Sequence, residues 1–139
     1  APRPPAASSP CQALRAIPGL DLDAGLNNTM GREDIYLRLI AKVLAERGTI
    51  EVEIGSALAA GDIETVVHIA HGMRAVLGTL GARELEALAI RIEENAVSGP
   101  DLDALVTRFR EDYAGLLQAL RRATAPHLEQ VPPTPPRPT

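Results

Sequence analysis

The chain has 139 residues, a formal net charge of -4, and 45% hydrophobic against 23% charged residues, which is enough apolar material for the core of one domain. Its aromatic residues are one Phe and two Tyr, so it lacks the basic, aromatic-rich surface that would make nucleic acid an expected partner. Cys11 is the only cysteine, which excludes an intramolecular disulfide. No apolar run approaches the roughly 20 residues of a membrane-spanning helix, so we expect a soluble domain without direct membrane contact.

The prolines divide the chain into two tails and a body, because between Gly19 and Ala125 only Pro100 occurs. Proline-rich ends favour extended, polyproline-like segments, and a plain spacer is favoured over a peptide ligand for another domain. The first residue is Ala1 and no signal-peptide pattern follows it, so we expect a fragment of a longer protein. The predicted division is a Pro-rich linker, a helical domain and a Pro-rich disordered tail: residues 1–18, 19–124 and 125–139.

The body is predicted to be helical throughout, since apolar residues recur three and four apart in each long segment. Glycines separate the segments, and Asp62 and Asp101 stand where N-caps are expected. Short connections favour antiparallel neighbours, so we expect an all-α fold, an antiparallel up-and-down four-helix bundle with one or two extra short N-terminal helices. The bundle helices are expected at residues 33–47, 62–80, 84–97 and 102–120, and the extra helices at 21–28 and 49–60.

The segment over residues 62–80 carries a histidine on the face opposite its apolar stripe. At about 100° per residue, His71 lies roughly 140° from Val66, which belongs to that stripe, so the imidazole is expected to face water. The wheel places around His71 the residues Glu64, His68, Ala75 and Gly78, with Arg74 at the edge of the stripe.

Two of these neighbours are small for a helix surface. Side chains lean toward the helix N-terminus, so Ala75 and Gly78 are expected to leave nearly bare backbone beyond the imidazole. A mid-helix glycine costs about 1 kcal/mol relative to alanine, and a partner that comes close to the helix would account for that cost. The alternative is a solvated histidine beside glycines that serve helix packing or the C-cap.

The same face also offers three residues of metal-binding type. Glu64 precedes His68 by four positions and His68 precedes His71 by three, so one helical face could supply three ligands. No other segment supplies an obvious fourth ligand. We therefore expect no metal site, and keep a metal-binding bundle as a further hypothesis.

The stretch AHGMRAVLGTLGARELEALAIRIEENAVSG resembles the signature of histidine-containing phosphotransfer (HPt) domains. In that signature an Ala-His pair is followed by a basic residue at three, a small residue at four, and a Gly-Ala-like helix end. Segments upstream are similar to the family's lead-in, so the likeness covers about residues 19–120. By this likeness the acceptor histidine falls on His71, the basic position on Arg74, the small positions on Ala75 and Gly78, the closing pair on Gly81 and Ala82, and Leu85, Leu88 and Glu93 match the next helix.

Two positions depart from the commonest family pattern. The family usually has lysine where this chain has Arg74, and glycine where it has Ala75. Arginine keeps the positive charge and adds a planar fork for phosphate oxygens, while alanine remains small. These differences bear on partner choice and transfer rate.

The resemblance implies a phosphorelay carrier in two-component signal transduction. His71 would accept a phosphoryl group from a receiver-domain aspartate and pass it to a response-regulator aspartate, while Arg74 offsets the phosphate charge. The sequence has no Walker-type or kinase-like Gly-rich loop, so no ATP site of its own and no cofactor are expected, and Mg²⁺ is expected on the partner receiver. The residues expected at the docking surface are Ala75, Gly78, Val67, His68 and Glu64.

The resemblance and the tails together suggest a wider context. They are typical of the C-terminal module of a hybrid sensor histidine kinase of the BvgS or ArcB type, whose receiver domains and response regulators would be the partners. The expected location is the cytoplasmic end of a membrane-bound bacterial kinase. A free-standing phosphotransfer protein is the alternative arrangement, and a helical-bundle interaction module with an inert histidine is the alternative function.

Overall fold

A computed structural model describes residues 10–96 and 101–130 of the chain, with side chains placed for 11–96 and 101–125. All regular structure in these ranges is helical, which confirms the predicted all-α class. The helices are α1 Pro10–Arg15, α2 Leu22–Asn28, α3 Glu33–Glu46, α4 Ile50–Ala59, α5 Ile63–Leu80, α6 Arg83–Asn95 and α7 Leu102–Gln130.

The ends of α5 are fixed by the residue types that the sequence places there. Asp62 caps the first turn: its carboxylate accepts hydrogen bonds from the Thr65 backbone N–H at 3.2 Å and from the Thr65 hydroxyl at 2.6 Å, and these bonds hold the Asp62 pKa below its ordinary value. Gly81 ends the helix at φ +91, a left-handed conformation that glycine adopts without strain. The start and end of α5 thus follow from local sequence.

The bundle forms from antiparallel pairs of helices. Between α4 and α7, the Arg110 side chain donates to the Glu51 carbonyl at 2.9 Å and the Tyr113 hydroxyl donates to the Arg47 carbonyl at 2.8 Å. The helix expected as an extra at residues 49–60 packs along both α5 and α7, so α4 takes a place in the bundle itself. The largest fully buried side chains are Tyr36, Tyr113, Phe109, Leu14, Ile40, Ile54, Met73, Leu77, Leu80, Ile92, Leu117 and Leu120.

Helices α2 and α3 are tied to the last turn of α5. The Asn28 side-chain amide donates to the carbonyls of Gly78 and Thr79, each at 3.2 Å, and the Tyr36 hydroxyl donates to the Leu80 carbonyl at 2.7 Å. Gly25 packs so closely that an added Cβ would overlap the Leu80 carbonyl and the Tyr36 ring. Helix α2 is therefore held in close contact with the C-terminal half of α5.

The chain ends differ in part from the expected extended tails. Helix α1 lies within the segment expected as a linker and packs on α7, because Leu14 and Ile17 are buried in the core. The backbone of α7 continues to Gln130, into the segment expected as a tail. Residues 1–9, 97–100 and 131–139 lie outside the described residues. Among residues 10–96 and 101–130, no helix combines the length and the hydrophobicity that a membrane-spanning helix requires.

Candidate functional site

His71 lies in the middle of α5 on the face away from the core. Its side chain is 72% exposed, while Ala70 and Met73 beside it in sequence are fully buried. The imidazole therefore faces solvent, as the helix wheel predicts, and no described segment of the chain buries it.

A glutamate of the neighbouring helix holds the imidazole in place. Glu93 Oε1 lies 2.8 Å from His71 Nδ1, and the Glu93 side chain is 17% exposed. An ionised carboxylate only accepts hydrogen bonds, so a neutral imidazole in this contact carries its proton on Nδ1. The lone pair is then on Nε2, which forms no hydrogen bond with any described residue.

The same carboxylate also binds Arg74. Arg74 Nη1 donates to Glu93 Oε2 at 2.9 Å, and the Arg74 side chain is 42% exposed. Arg74 thus lies at the border between the exposed face and the core, where the wheel places it. A guanidinium has five N–H donors, so further donors remain for an anion beside the imidazole.

Glu93 reaches this position because α5 and α6 run antiparallel across a tight turn. The turn at Gly81 and Ala82 folds α6 back along α5, and residue 93 then lies opposite residues 71 and 74. The sequence identified Glu93 as a match to the next helix of the family but gave it no role, since a wheel of one helix does not show contacts between helices.

The face around the imidazole is exposed and carries small residues. Ala75, His68 and Glu64 are exposed and Val67 is half-buried. Gly72, which sequence reasoning missed, is exposed, and an added Cβ there would meet no atom within 4 Å. A mid-helix glycine directly after the histidine is the sequence signal that points to it.

Gly78 requires a correction, because the expected bare surface there is covered by the chain itself. Gly78 is half-buried, and a Cβ added to it would lie 2.6 Å from Glu86 Oε2. The Asn28 side chain also binds the Gly78 carbonyl. The glycine therefore accommodates α6 and α2 within the domain, in agreement with the packing alternative for this residue.

The metal hypothesis gains no ligand set from the structure. Within residues 10–96 and 101–130 no group of three or more His, Cys, Asp and Glu side chains is placed to share a metal ion. Glu64, His68 and His71 are among these residues.

Beside His71, an open groove runs between α2, α5 and the start of α6. Of its lining residues on α5, Arg74 and Ala75 are nearest to His71 along the helix, and Gly78 and Thr79 follow. Further lining residues come from α2 and α6, among them Asp23, Asn28, Arg83 and Glu86. The groove is polar and continuous with the exposed face of α5.

Comparison with known proteins assigns the family. A protein-family model described as the Hpt domain matches residues 38–123, a segment that contains all of α4, α5 and α6 and most of α7. Comparisons with curated proteins and with solved structures gave no match. Because the family model covers more than half of the chain and includes the histidine helix, the chain belongs to the Hpt domain family.

Proposed function

We propose that this Hpt domain accepts a phosphoryl group on His71 from a receiver-domain aspartate and passes it to a response-regulator aspartate. The family makes the chain a phosphotransfer carrier in two-component signalling. The observation that carries the specific proposal is an exposed imidazole whose Nδ1 is bound by Glu93 at 2.8 Å.

In the proposed transfer, the Nε2 lone pair of His71 attacks the phosphorus of an aspartyl phosphate in line with the bond that breaks. The N–P bond forms as the P–O bond to the aspartate breaks, and the aspartate leaves as a carboxylate. The proton on Nδ1 stays in the hydrogen bond to Glu93, so the positive charge that the ring gains is stabilised next to a carboxylate. Onward transfer is the reverse reaction with a second aspartate.

Arg74 assists the phosphoryl group in this proposal. Its Nη1 remains bound to Glu93, and its other N–H groups bind phosphoryl oxygens. The chain's own part is to hold His71 in line and to offset charge. No cofactor on this chain is proposed, and Mg²⁺ is assigned to the receiver.

Close approach of the receiver is supported by the exposed small residues beside the imidazole. Gly72 and Ala75 present little more than backbone on this face, so receiver loops can come within reach of Nε2. The remaining proposed docking residues are Glu64, Val67 and His68.

The proposed setting is a module of a hybrid sensor histidine kinase at the cytoplasmic side of a bacterial membrane. Its partners are the receiver domain of that kinase and a response regulator. Tethering to a receiver raises its local concentration, so weak docking suffices for transfer.

The experiment is phosphotransfer from purified receiver domains that have been phosphorylated with labelled acetyl phosphate. Wild-type protein should acquire an acid-labile, alkali-stable label, and His71→Gln should acquire none. His68→Gln is the matched control, because His68 is an exposed histidine three positions away on the same face. It keeps His71 and should acquire the same acid-labile label, even where the loss of a docking residue slows the transfer. Label that persists on His71→Gln would remove His71 from the role. Receiver binding without any label on wild type would favour the interaction module.

A further inference from the structure

The charged residues of the groove beside His71 are almost all paired within the chain. At the His71 end, Arg74 binds Glu93 at 2.9 Å. On the α2 side, Asp21 pairs with Arg83 at 3.5 Å and Asp23 with Arg15 at 3.0 Å. A partner that bound the carboxylate of Asp21 or Asp23 by charge would have to compete with an existing ion pair.

Glu86 is the exception among the described residues. It lines the groove and is half-buried, yet within residues 11–96 and 101–125 it forms no ion pair or side-chain hydrogen bond. Its carboxylate lies over Gly78, where a side chain in place of the glycine hydrogen would displace it. The groove therefore presents one carboxylate that forms no ion pair with the described residues, and its position is defined by the glycine beneath it.

This charge lies within the area that a partner at His71 would cover. Gly78 follows His71 by seven residues, or about 10 Å along the helix. A standard interface buries about 800 Å² on each partner, a patch wider than that distance. A protein whose interface of this size is centred on His71 therefore also covers Glu86.

We propose that Glu86 is a specificity-determining contact, which receives a lysine or arginine side chain of the receiver domain that docks over His71. This inference rests on the proposed function, in which the receiver is the phosphoryl donor or acceptor. A cation gains the full interaction with Glu86 without breaking an ion pair of this chain, and it lowers the cost of covering a half-buried carboxylate on docking. Receivers with a neutral or acidic residue at the facing position leave that carboxylate uncompensated and are disfavoured.

The test uses the receiver domain that labels His71 fastest in a panel of purified receivers phosphorylated with acetyl phosphate. Glu86→Gln should lower the second-order rate constant of transfer by about three- to tenfold at low ionic strength, with little effect at high salt, because one partner charge acts on association. The rate at saturating receiver should stay unchanged. Glu84→Gln is the matched control: Glu84 is also a first-turn glutamate of α6 but lines a different groove, against α7.

A charge-reversal scan of the receiver domain identifies the receiver residue that contacts Glu86. Replacement of each exposed lysine or arginine by glutamate should yield one variant that wild type binds weakly and that Glu86→Lys binds again. Equal rate constants for Glu86→Gln and Glu84→Gln, or no rescued reversal, would overturn the inference while normal labelling of His71 leaves the proposed function standing. A wild type that no receiver labels would overturn both.

Discussion

The Glu93 carboxylate accepts two hydrogen bonds from α5: Oε1 accepts from His71 Nδ1 at 2.8 Å, and Oε2 accepts from Arg74 Nη1 at 2.9 Å. One side chain from α6 thus sets the orientation of two side chains on α5. Since Glu93 is 17% exposed, its hydrogen bonds are partly shielded from water and restrict both partners. The imidazole is held at one nitrogen while the other stays available for a partner.

Substitution of Glu93 should release the imidazole from this orientation. In Glu93→Ala the Nδ1–H tautomer loses its acceptor, so we expect ¹⁵N NMR to show His71 with less proton on Nδ1 than in wild type. Transfer from a saturating receiver should slow by about tenfold, the scale of one lost hydrogen bond to a charged group. Glu93→Gln keeps an acceptor oxygen, so its transfer rate and its proton occupancy on Nδ1 should lie between those of wild type and Glu93→Ala. Unchanged tautomer populations in Glu93→Ala would contradict the positioning role.

Arg74 should affect the transfer step more than docking. Arg74→Gln removes the positive charge that the proposed mechanism uses beside the phosphoryl group. We expect the rate at saturating receiver to fall by about tenfold, the scale of one lost hydrogen bond to a charged group. Arg74→Lys keeps the charge but has no fork to bind Glu93 and phosphate together, so a smaller decrease is expected. This rate is measured by quenching the transfer reaction at early times in the presence of saturating receiver. If Arg74→Gln lowered only the apparent affinity for the receiver, Arg74 would be assigned to docking instead.

The sequence predicted what one helix determines by itself. The exposure of His71 follows from the 3.6-residue period of α5, and the beginning of α5 follows from the Asp62 cap. What lies against that helix depends on register across turns and on helices distant in sequence. A helix wheel of α5 therefore cannot predict the contact between His71 and Glu93 or the position of Glu86 over Gly78.

Helix α4 shows the same limit at the level of the fold. The sequence indicated residues 49–60 as an extra short helix beside the four-helix bundle. In the structure its buried positions, Ile50, Ile54 and Ala57, face α5 and α7. Helix length did not reveal this, since a short helix with apolar residues three and four apart packs in a bundle as well as a longer one does.

Alkaline pH should destabilise the domain through its buried tyrosines. The Tyr113 ring is fully buried, and burial raises its pKa to about 12; burial also raises the pKa of Tyr36. A raised tyrosine pKa means that the folded state favours the neutral phenol. The contribution of these neutral phenols to the free energy of unfolding is therefore complete below the ordinary tyrosine pKa of about 10 and is lost as pH rises toward about 12.

We expect urea unfolding to give a constant free energy between about pH 8 and 10 and a decrease on the order of 1–3 kcal/mol by pH 12. Tyr113→Phe loses the hydrogen bond to the Arg47 carbonyl and should be less stable by about 1 kcal/mol at pH 8. Its further decrease at high pH should be smaller than that of wild type. Parallel curves for the two proteins would show that Tyr113 does not carry the alkaline transition.

Gly72 allows the effect of close approach to be separated from folding. An added Cβ meets no atom within 4 Å at Gly72 on α5 or at Gly115 on α7, and both residues are exposed. Alanine at either position should raise the free energy of unfolding by about 0.5–1 kcal/mol, because glycine is a poor helix former.

Transfer should distinguish the two sites even though stability does not. Gly115 lines the groove against the start of α6, away from His71, so Gly115→Gln should transfer at the wild-type rate. Gly72→Gln places a long side chain beside the imidazole, and we expect transfer at least about tenfold slower, since misplacement of reacting groups by about 1 Å costs more than that. Circular dichroism should show both variants folded. If Gly72→Gln matched Gly115→Gln in transfer rate, the receiver would not approach α5 at this residue, and the glycine would have no part in docking.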